Sequence, residues 1–274
     1  MPELPEVETT KEGIKLHLEG QTISRICVHN PRLRIPVPDR INELCTGKKI
    51  LAITRRAKYI LIQLSQGHLL IHLGMSGHLR MVELSSIPQK HDHITVALNN
   101  NLLLRFYDPR RFGLFLYIDK NPYKHPLLAH LGKEPLSEEF NGHYLFQKGK
   151  NKNKPIKSFI MDNKIVVGVG NIYATESLFL AKIHPSTPTK ILSEETQLKL
   201  AKHIKEVLQQ AIACGGTTLK DFYSFDGKPG YFSISLKVYG RKNQPCMQCQ
   251  HPIASVILGG RNSTFCPKCQ KQDP

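Results

Sequence analysis

Four cysteines near the C-terminal end of the sequence have the spacing of a metal site. They occur as two Cys-x-x-Cys pairs, Cys246 with Cys249 and Cys266 with Cys269. Two such pairs at this separation supply four thiolates for one tetrahedral zinc ion. Because four protein ligands leave no open coordination position for water, we expect one structural Zn²⁺ and no chemistry at the metal. The metal would then build a small β-hairpin module, whose function depends on the residues between the pairs.

The opposite end of the chain, MPELPEVETT, combines two prolines with three glutamates in a protein of formal net charge +16. A purely structural interpretation is available, because Pro5 presets φ for a helix start and Glu6 and Glu8 favour the N-terminal dipole of the helix. Local physics alone favours that interpretation. A chemical role for this segment requires support from the rest of the chain.

The charge balance indicates a polyanionic partner. Lys and Arg total 38 against 22 Asp and Glu, and nucleic acid is the usual partner of such a protein. No segment approaches the ~18 uninterrupted apolar residues of a membrane span, and no long basic amphipathic helix favours a membrane surface. The stretch MPELPEVETT has neither the basic residues nor the apolar run of a secretory signal, and paired cysteines that hold metal are typical of a reducing compartment. We therefore expect a cytoplasmic protein.

The elements that must position these groups change in character along the chain. Residues from about 20 to 118 are β-rich, with short apolar runs at 59–64, 68–73 and 102–107 and a hairpin turn at 99–101. This spacing predicts a sandwich or a barrel, against which a helix beginning near Pro5 packs.

Helical periodicity begins further on. Ser137 and Ser193, each followed by two glutamates, are predicted N-caps of apolar-periodic helices, and the second helix is expected to run to about Cys214. Between them, KGKNKNKPIK (148–157) is equally consistent with a solvated loop and with a phosphate-contacting hinge. The segment 161–185, with glycines at 168 and 170, is either an ordinary αα-hairpin or a turn whose N–H groups bind phosphate.

Together these segments resemble bacterial formamidopyrimidine-DNA glycosylases, the base-excision enzymes that remove oxidised purines. The motifs that carry the resemblance are MPELPEVET at the start, RRAKY (55–59), HLGMSG (72–77), DPRRFG (108–113), VGVGNIYATE (167–176), GGTTLKDF (215–222), DGKPGYF (226–232), YGR (239–241) and the four-cysteine ending. They occur in family order from Met1 to Gln270.

The resemblance implies an α+β fold: an N-terminal β-sandwich with an N-terminal helix, then a helical helix–two-turn–helix domain with a C-terminal zinc-finger hairpin. We expect a catalytic domain at 1–134, a helical DNA-binding domain at 135–234 and a zinc finger at 235–274. The implied partner is damaged double-stranded DNA, bound by a monomer that is associated with the bacterial nucleoid.

The resemblance also gives the first residues a chemical role. It implies that the initiator methionine is removed and that the nitrogen of Pro2 is the nucleophile. An α-amino group has a pKa of about 8, more than two units below that of lysine, so much of it is neutral and nucleophilic at physiological pH. Glu3 matches the general acid, Glu6 a supporting carboxylate and Lys58 a second proton donor near the lesion. Alone, Lys58 would be interpreted as a solvated charge.

Further matches concern contacts with DNA. Met75, Arg110 and Phe112 match the residues that fill the gap left by the extruded nucleotide, although without DPRRFG we would assign Met75 and Phe112 to the core. The remaining matches are listed in chain order: His91, Lys152 and Asn171 at phosphate-contacting positions, Glu176 near the active site, residues 217–232 as a loop closing over the flipped base, and Arg261 as the zinc-finger arginine that binds phosphate and assists δ-elimination.

The sequence departs from the family pattern in two places and leaves two alternatives. Gln250 follows Cys249 where glycine is common, at a position that favours φ > 0, and Ser263 stands where threonine is common. One alternative is the endonuclease VIII branch, which prefers oxidised pyrimidines and typically has glycine where this chain has Leu4. The other is a non-catalytic zinc-dependent DNA-binding protein, which leaves Pro2 and Lys58 without a role.

Overall fold

The computed structural model describes residues 2–216 and 236–271 of the chain. Contacts divide it into two compact units. The N-terminal unit comprises the described residues up to Ala129 together with 214–216, and the C-terminal unit comprises His130–Ala213 and the described residues from 236 onward. The predicted domain limits at 134 and 234 stay predictions.

The N-terminal unit begins with helix α1 (Leu4–Leu18), which confirms the predicted helix near Pro5. Glu3 is its N-cap and forms a capping box with Glu6, so two of the otherwise unpaired N–H groups of the first turn are satisfied. The apolar face of α1, which includes Val7, Ile14 and Leu18, packs into the main hydrophobic core.

In the part of this unit that the structure describes, eight strands and one short α-helix follow α1. They are β1 (Ile23–Val28), α2 (Ile41–Cys45), β2 (Ile50–Arg56), β3 (Tyr59–Leu64), β4 (His68–His72), β5 (His78–Glu83), β6 (Asp92–Leu98), β7 (Leu102–Tyr107) and β8 (Leu114–Ile118). The strands form two four-stranded sheets, ordered β1-β6-β7-β5 and β2-β3-β4-β8, with antiparallel neighbours. Side chains from both sheets and from α1 share one core, so the predicted sandwich is confirmed. The runs 59–64 and 102–107 are strands over their full predicted lengths, and 99–101 turns between β6 and β7.

The C-terminal unit contains helices and one hairpin. Its elements are α3 (Gly142–Gly149), α4 (Ile156–Ile160), α5 (Asn171–Leu180), α6 (Glu194–Ala213), β9 (Ala254–Leu258) and β10 (Arg261–Phe265). α6 begins as predicted, because the Ser193 hydroxyl accepts the Thr196 N–H at 3.2 Å. The antiparallel β9–β10 pair is the predicted hairpin between the cysteine pairs. Among the helices of the described ranges, none is long and apolar enough to cross a membrane.

The predicted helix start at Ser137 is wrong. The Ser137 hydroxyl donates to the Glu134 carbonyl within a turn, and the helix begins later, where the Asn141 side chain accepts the Tyr144 N–H at 2.9 Å. Packing explains the shift: a Cβ at Gly142 would lie 2.2 Å from Leu198 Cα of α6. The first turn of α3 therefore lies where a glycine permits close contact with α6.

Candidate active site

The candidate nucleophile and acid lie at the buried start of α1. Pro2 is buried, and Glu3 is 2% exposed. The Glu3 N–H donates to Glu6 Oε2 at 2.8 Å, and the Glu3 side chain accepts the Glu6 N–H. Gly216, at φ +83°, lies against Glu6, where an added Cβ would come within 3.2 Å of Glu6 Cγ. The capping box therefore fixes the backbone at Pro2 and orients the Glu3 carboxylate.

Lys58 lies in the two-residue turn between β2 and β3 and is 9% exposed. It is therefore not the solvated charge that its sequence context alone would indicate. A buried lysine is costly unless the site uses or stabilises its charge. Burial of Lys58 supports its selection as a site residue.

His72 is a residue of this region to which the sequence analysis gave no role, although it begins the HLGMSG motif. Its Nδ1 accepts the Gly74 N–H at 2.9 Å, so the neutral ring carries its proton on Nε2. Burial lowers the pKa of His72 to about 4, and the charges of Lys58 and Arg34 contribute to this lowering. His72 is therefore an uncharged hydrogen-bond donor close to the Lys58 cation.

The predicted gap-filling residues lie together on the surface of the N-terminal unit. Met75 is 37% and Phe112 is 46% exposed. The Arg110 guanidinium lies 4.9 Å from the centroid of the Phe112 ring. Met75 and Phe112 line a hollow of ≈ 300 Å³ together with Arg34 and His72. They are not core residues, so an apolar wedge beside an arginine is available for an opened base stack.

A buried carboxylate joins the two turns that carry this wedge. Asp108, which is 0% exposed, accepts the Gly113 N–H at 2.8 Å and the Ser76 hydroxyl at 3.2 Å. The turns are also in direct contact, since a Cβ at Gly74 (φ +67°) would lie 2.5 Å from the Phe112 carbonyl carbon. The aspartate of DPRRFG and the first glycine of HLGMSG thus explain why Met75 and Phe112 are adjacent.

His91 lies directly before β6, at the end of an inner strand of its sheet, next to a buried ion cluster. Its ring lies edge-on to Tyr107, with 5.7 Å between centroids. The neighbouring Asp92 pairs with Arg80 at 2.6 Å and with Arg105 at 3.3 Å. Arg105 also donates to the carbonyls of residues 86 and 87, so this cluster fixes the loop that leads to His91.

In the C-terminal unit, the position of Asn171 depends on a buried lysine at the end of the basic segment 148–157. Lys157 is 1% exposed, and its ammonium donates to Asn171 Oδ1 at 2.6 Å and to Ser263 Oγ at 2.7 Å. The Asn171 Nδ2 donates to the Asn262 carbonyl at 3.2 Å. Lys157 therefore connects α5 to β10 beside the exposed Arg261. Because its ammonium binds the Asn171 Oδ1, the amide N–H groups of Asn171 face away from Lys157.

The basic segment 148–157 divides between the two predicted alternatives. Lys152 and Lys154 are exposed, as a solvated loop requires, and Lys154 pairs with Asp162 at 3.1 Å. Lys154, Lys157 and Arg261 line a hollow of ≈ 280 Å³ together with Asp162. Because Asp162 pairs with Lys154, its carboxylate offsets part of the positive charge, and the remaining positive charge suits phosphate oxygens. The segment runs from the last turn of α3 through an exposed loop to the buried first turn of α4.

Glu176, which we expected near the active site, holds the backbone of its own unit. Its carboxylate accepts the N–H groups of Lys237, Val238 and Tyr239 at 2.8–3.0 Å. Burial raises the pKa of Glu176, against the three N–H donors, which lower it. Glu176 fixes the described chain immediately after residue 235. The predicted closing loop at 217–232 lies outside the described residues.

The four cysteines fit a structural zinc ion. Their Sγ atoms lie within 4.8 Å of one another, with separations of 3.4 Å for Cys249–Cys266 and 4.0 Å for Cys246–Cys269. A tetrahedron with Zn–S bonds of about 2.3 Å has edges of about 3.8 Å. Gln250 has φ 62°, as expected for a position that favours glycine. Cys246, Cys249, Cys266 and Cys269 would hold the metal and brace the β9–β10 hairpin.

Three family models match successive parts of the chain: the formamidopyrimidine-DNA glycosylase N-terminal domain at residues 1–115, the formamidopyrimidine-DNA glycosylase H2TH domain at 131–223, and the zinc finger found in FPG and IleRS at 243–272. The chain belongs to the formamidopyrimidine-DNA glycosylase family.

Individual relatives of this family match over nearly their whole lengths. The formamidopyrimidine-DNA glycosylase of Legionella pneumophila strain Philadelphia 1 is 64% identical over 270 residues, covering 98% of each chain. That of Hydrogenovibrio crunogenus is 54% identical, covering 99% of this chain and 97% of that one. The crystal structure of MutM (Fpg) from Thermus thermophilus has a TM-score of 0.89 at 38% identity, covering 100% of both chains. A complex of Lactococcus lactis Fpg with abasic-site DNA has a TM-score of 0.91 at 35% identity, covering 98% of this chain and 100% of that one.

Proposed function

We propose that the chain is a bifunctional DNA glycosylase and abasic-site lyase that removes oxidised purines, 8-oxoguanine and formamidopyrimidines, from duplex DNA. The family relationship supports this, since Lactococcus lactis relatives form complexes with Fapy-dG DNA and with abasic-site DNA. The observation that carries the proposal is the burial of Pro2, Glu3 and Lys58 in the N-terminal unit. Glu3 also caps α1, but a protein that only binds DNA gives the buried Lys58 no role.

The proposed chemistry begins at the Pro2 nitrogen. Its lone pair attacks the sugar C1′, the C1′–base bond breaks, and the electrons of that bond leave with the damaged base, which takes up a proton. Glu3 acts as the general acid and stabilises the cation that develops beside it. The nitrogen then loses its proton, and its lone pair expels O4′ of the sugar ring, which takes up a proton. The iminium so formed joins Pro2 to a ring-opened abasic sugar and acidifies C2′. Loss of the C2′ proton expels the 3′ phosphate by β-elimination. Lys58 is the second proton donor, and Arg261 assists the δ-elimination that follows.

The remaining site residues open and hold the DNA. Met75 and Phe112 fill the gap left by the extruded nucleotide, and Arg110 contacts the orphaned base. His91, Lys152, Asn171 and Arg261 bind phosphates and set the register of the strand without reading sequence. The zinc ion acts structurally, by bracing the hairpin that carries Arg261.

A second candidate is a preference for oxidised pyrimidines. It has one specific observation in its favour, since Lactococcus lactis Fpg has also been crystallised with DNA containing an oxidised pyrimidine. Single-turnover excision from duplexes containing 8-oxoguanine, a formamidopyrimidine or an oxidised pyrimidine distinguishes the two. We expect the purine lesions to be removed faster. Faster removal of the oxidised pyrimidine would replace our assignment with the endonuclease VIII type.

The proposal includes a monomeric enzyme that acts in the bacterial cytoplasm, associated with the nucleoid. A +16 net charge supports association with nucleic acid. Sedimentation of the purified protein with and without a lesion duplex tests the oligomeric state. We expect one protein per duplex, and two proteins on one lesion would contradict it.

A further inference from the structure

The turn that carries Lys58 has a strained backbone. β2 and β3 pair up to Arg56 and Tyr59, so Ala57 and Lys58 are the two central residues of the hairpin turn. Of these two, only Ala57 has a positive φ, at 54°. In two-residue hairpins this pattern belongs to the type II′ turn, whose first central position favours glycine. An alanine there is strained, and such strain persists only where the surrounding structure holds it in place.

One side chain connects this turn to α1. Arg55 Nη1 donates to the Ala57 carbonyl at 2.8 Å, and Arg55 Nε donates to Glu8 Oε2 at 2.6 Å. Glu8 lies on α1, whose first turn follows Pro2 and the N-cap Glu3. Because the donors of a guanidinium have a fixed geometry, holding one at Glu8 fixes where the other meets the turn.

Burial and a second ion pair stabilise the hydrogen bond between Arg55 and Glu8. The Arg55 and Glu8 side chains are only 10% and 19% exposed, so water competes weakly for their hydrogen bonds. Glu8 also pairs with Lys11 at 2.6 Å. Burial raises the pKa of Glu8, but the hydrogen bonds from Lys11 and Arg55 outweigh burial, and the pKa lies below its usual value. The carboxylate is therefore charged at neutral pH and holds Arg55 in place.

We propose that Arg55 is a positioning residue for Lys58: it holds the strained Ala57–Lys58 turn in register with the helix that begins after Glu3. This inference rests on the proposed role of Lys58 as a proton donor. Arg55 itself need not touch the substrate, and its effect depends on where the Lys58 ammonium lies relative to the nucleophile at the start of α1.

The test compares Arg55→Met with Lys58→Met. We expect Arg55→Met to slow single-turnover excision of 8-oxoguanine by about 10- to 100-fold, the scale expected when a catalytic group is misplaced by about 1 Å. For each variant, the fold-loss in 8-oxoguanine excision is divided by the fold-loss in cleavage of a preformed abasic site. This ratio should be the same for Arg55→Met and for Lys58→Met. DNA affinity and its salt dependence should stay at wild-type values. An Arg55→Met enzyme with wild-type excision, or one that loses DNA binding to the same extent, would overturn the inference.

One control and one rescue sharpen the test. Arg40→Met removes an arginine whose side chain is 75% exposed. It should excise at the wild-type rate. Ala57→Gly relieves the φ strain, so adding it to Arg55→Met should restore part of the lost rate. Complete failure of this rescue would contradict a role in holding the turn.

The result is separable from the proposed function. Borohydride trapping of the wild-type protein on abasic-site DNA reports on Pro2 and does not involve Arg55. If the wild type does not trap, the proposed function fails. If it traps and Arg55→Met excises normally, only the positioning role of Arg55 fails.

Discussion

Replacing Asp108 tests whether a buried carboxylate organises the Met75–Phe112 wedge. Asp108 accepts two hydrogen bonds, one from the Gly113 N–H and one from the Ser76 hydroxyl. Hydrogen bonds to a charged group contribute about 1.5–3 kcal/mol each. Asp108→Ala should therefore lower the free energy of unfolding by about 3–6 kcal/mol, a large part of the about 5–15 kcal/mol of a typical domain.

Asp108→Asn should be much milder, because the amide preserves both bonds. Its oxygen can accept the Gly113 N–H while its NH₂ donates to the Ser76 oxygen, which also has lone pairs. Exchanging a charged acceptor for a neutral one costs about 1 kcal/mol per bond, or about 2 kcal/mol in all. Excision should follow the same order, with Asp108→Ala slower than Asp108→Asn, because both turns of the wedge depend on this side chain.

The assay is urea unfolding followed by circular dichroism, since the chain has no tryptophan to report by fluorescence. Single-turnover excision of 8-oxoguanine is measured on the same variants. Asp119→Ala is the matched control, because Asp119 is exposed and its loss should change stability by less than about 0.5 kcal/mol. If Asp108→Ala is as stable and as active as Asp119→Ala, the reasoning about this carboxylate is refuted.

Three further predictions follow from the site. Arg110→Ala should reduce excision opposite cytosine by roughly ten- to hundred-fold and excision opposite adenine much less, because the guanidinium offers only donors to the orphaned base. Phe112→Ala should slow both reactions equally. Single-turnover rates opposite each base check this, and an Arg110→Ala enzyme that keeps the wild-type preference for cytosine would contradict it. Cys249→Ser should release zinc and weaken binding to every DNA sequence, whereas Arg261→Ala should retain zinc and reduce the slope of log K against log salt by about 0.9. Metal analysis measures the zinc content of both variants, and salt titrations of DNA binding measure the slope. An unchanged slope in Arg261→Ala excludes the phosphate contact. The folded-state pKa of His72, at about 4, lies below its unfolded value of about 6.5. Between these pH values the unfolded chain binds more protons, so stability is lost as pH falls from about 6.5 toward about 4. His72→Gln should make that loss shallower in urea titrations, and an identical pH profile would contradict this prediction.

Where the sequence predicted structure well, local pattern and tertiary packing agree. The runs 59–64 and 102–107 are short, apolar and bounded by turn residues, and the sandwich buries them as strands. The left-handed backbone at Gln250 follows in the same way from the local geometry of a cysteine knuckle. The metal ligands were predictable because their spacing along the chain also determines their separation in space.

The features that the sequence did not predict belong to residues whose partners are distant in the chain. Ser137 has the local chemistry of an N-cap, but the start of α3 depends on contact with Leu198 of α6. Lys157 lies in a run of exposed lysines and is buried against Ser263, which is 106 residues further on. Arg55 likewise precedes Lys58 in an ordinary basic motif, and only the folded chain brings it to Glu8. Such side chains acquire their roles from long-range contacts, which a local pattern does not contain.

The central claim is that the N-terminal proline performs the chemistry, and borohydride trapping tests it most directly. The protein is incubated with an abasic-site duplex and with an 8-oxoguanine duplex in the presence of borohydride, and the cross-linked peptide is mapped by mass spectrometry. A form that retains Met1 serves as the matched control and should bind DNA without trapping. We predict that the adduct lies on the nitrogen of Pro2 after loss of Met1. A cross-link on Lys58 or another lysine, or full activity in the form that retains Met1, would contradict the account.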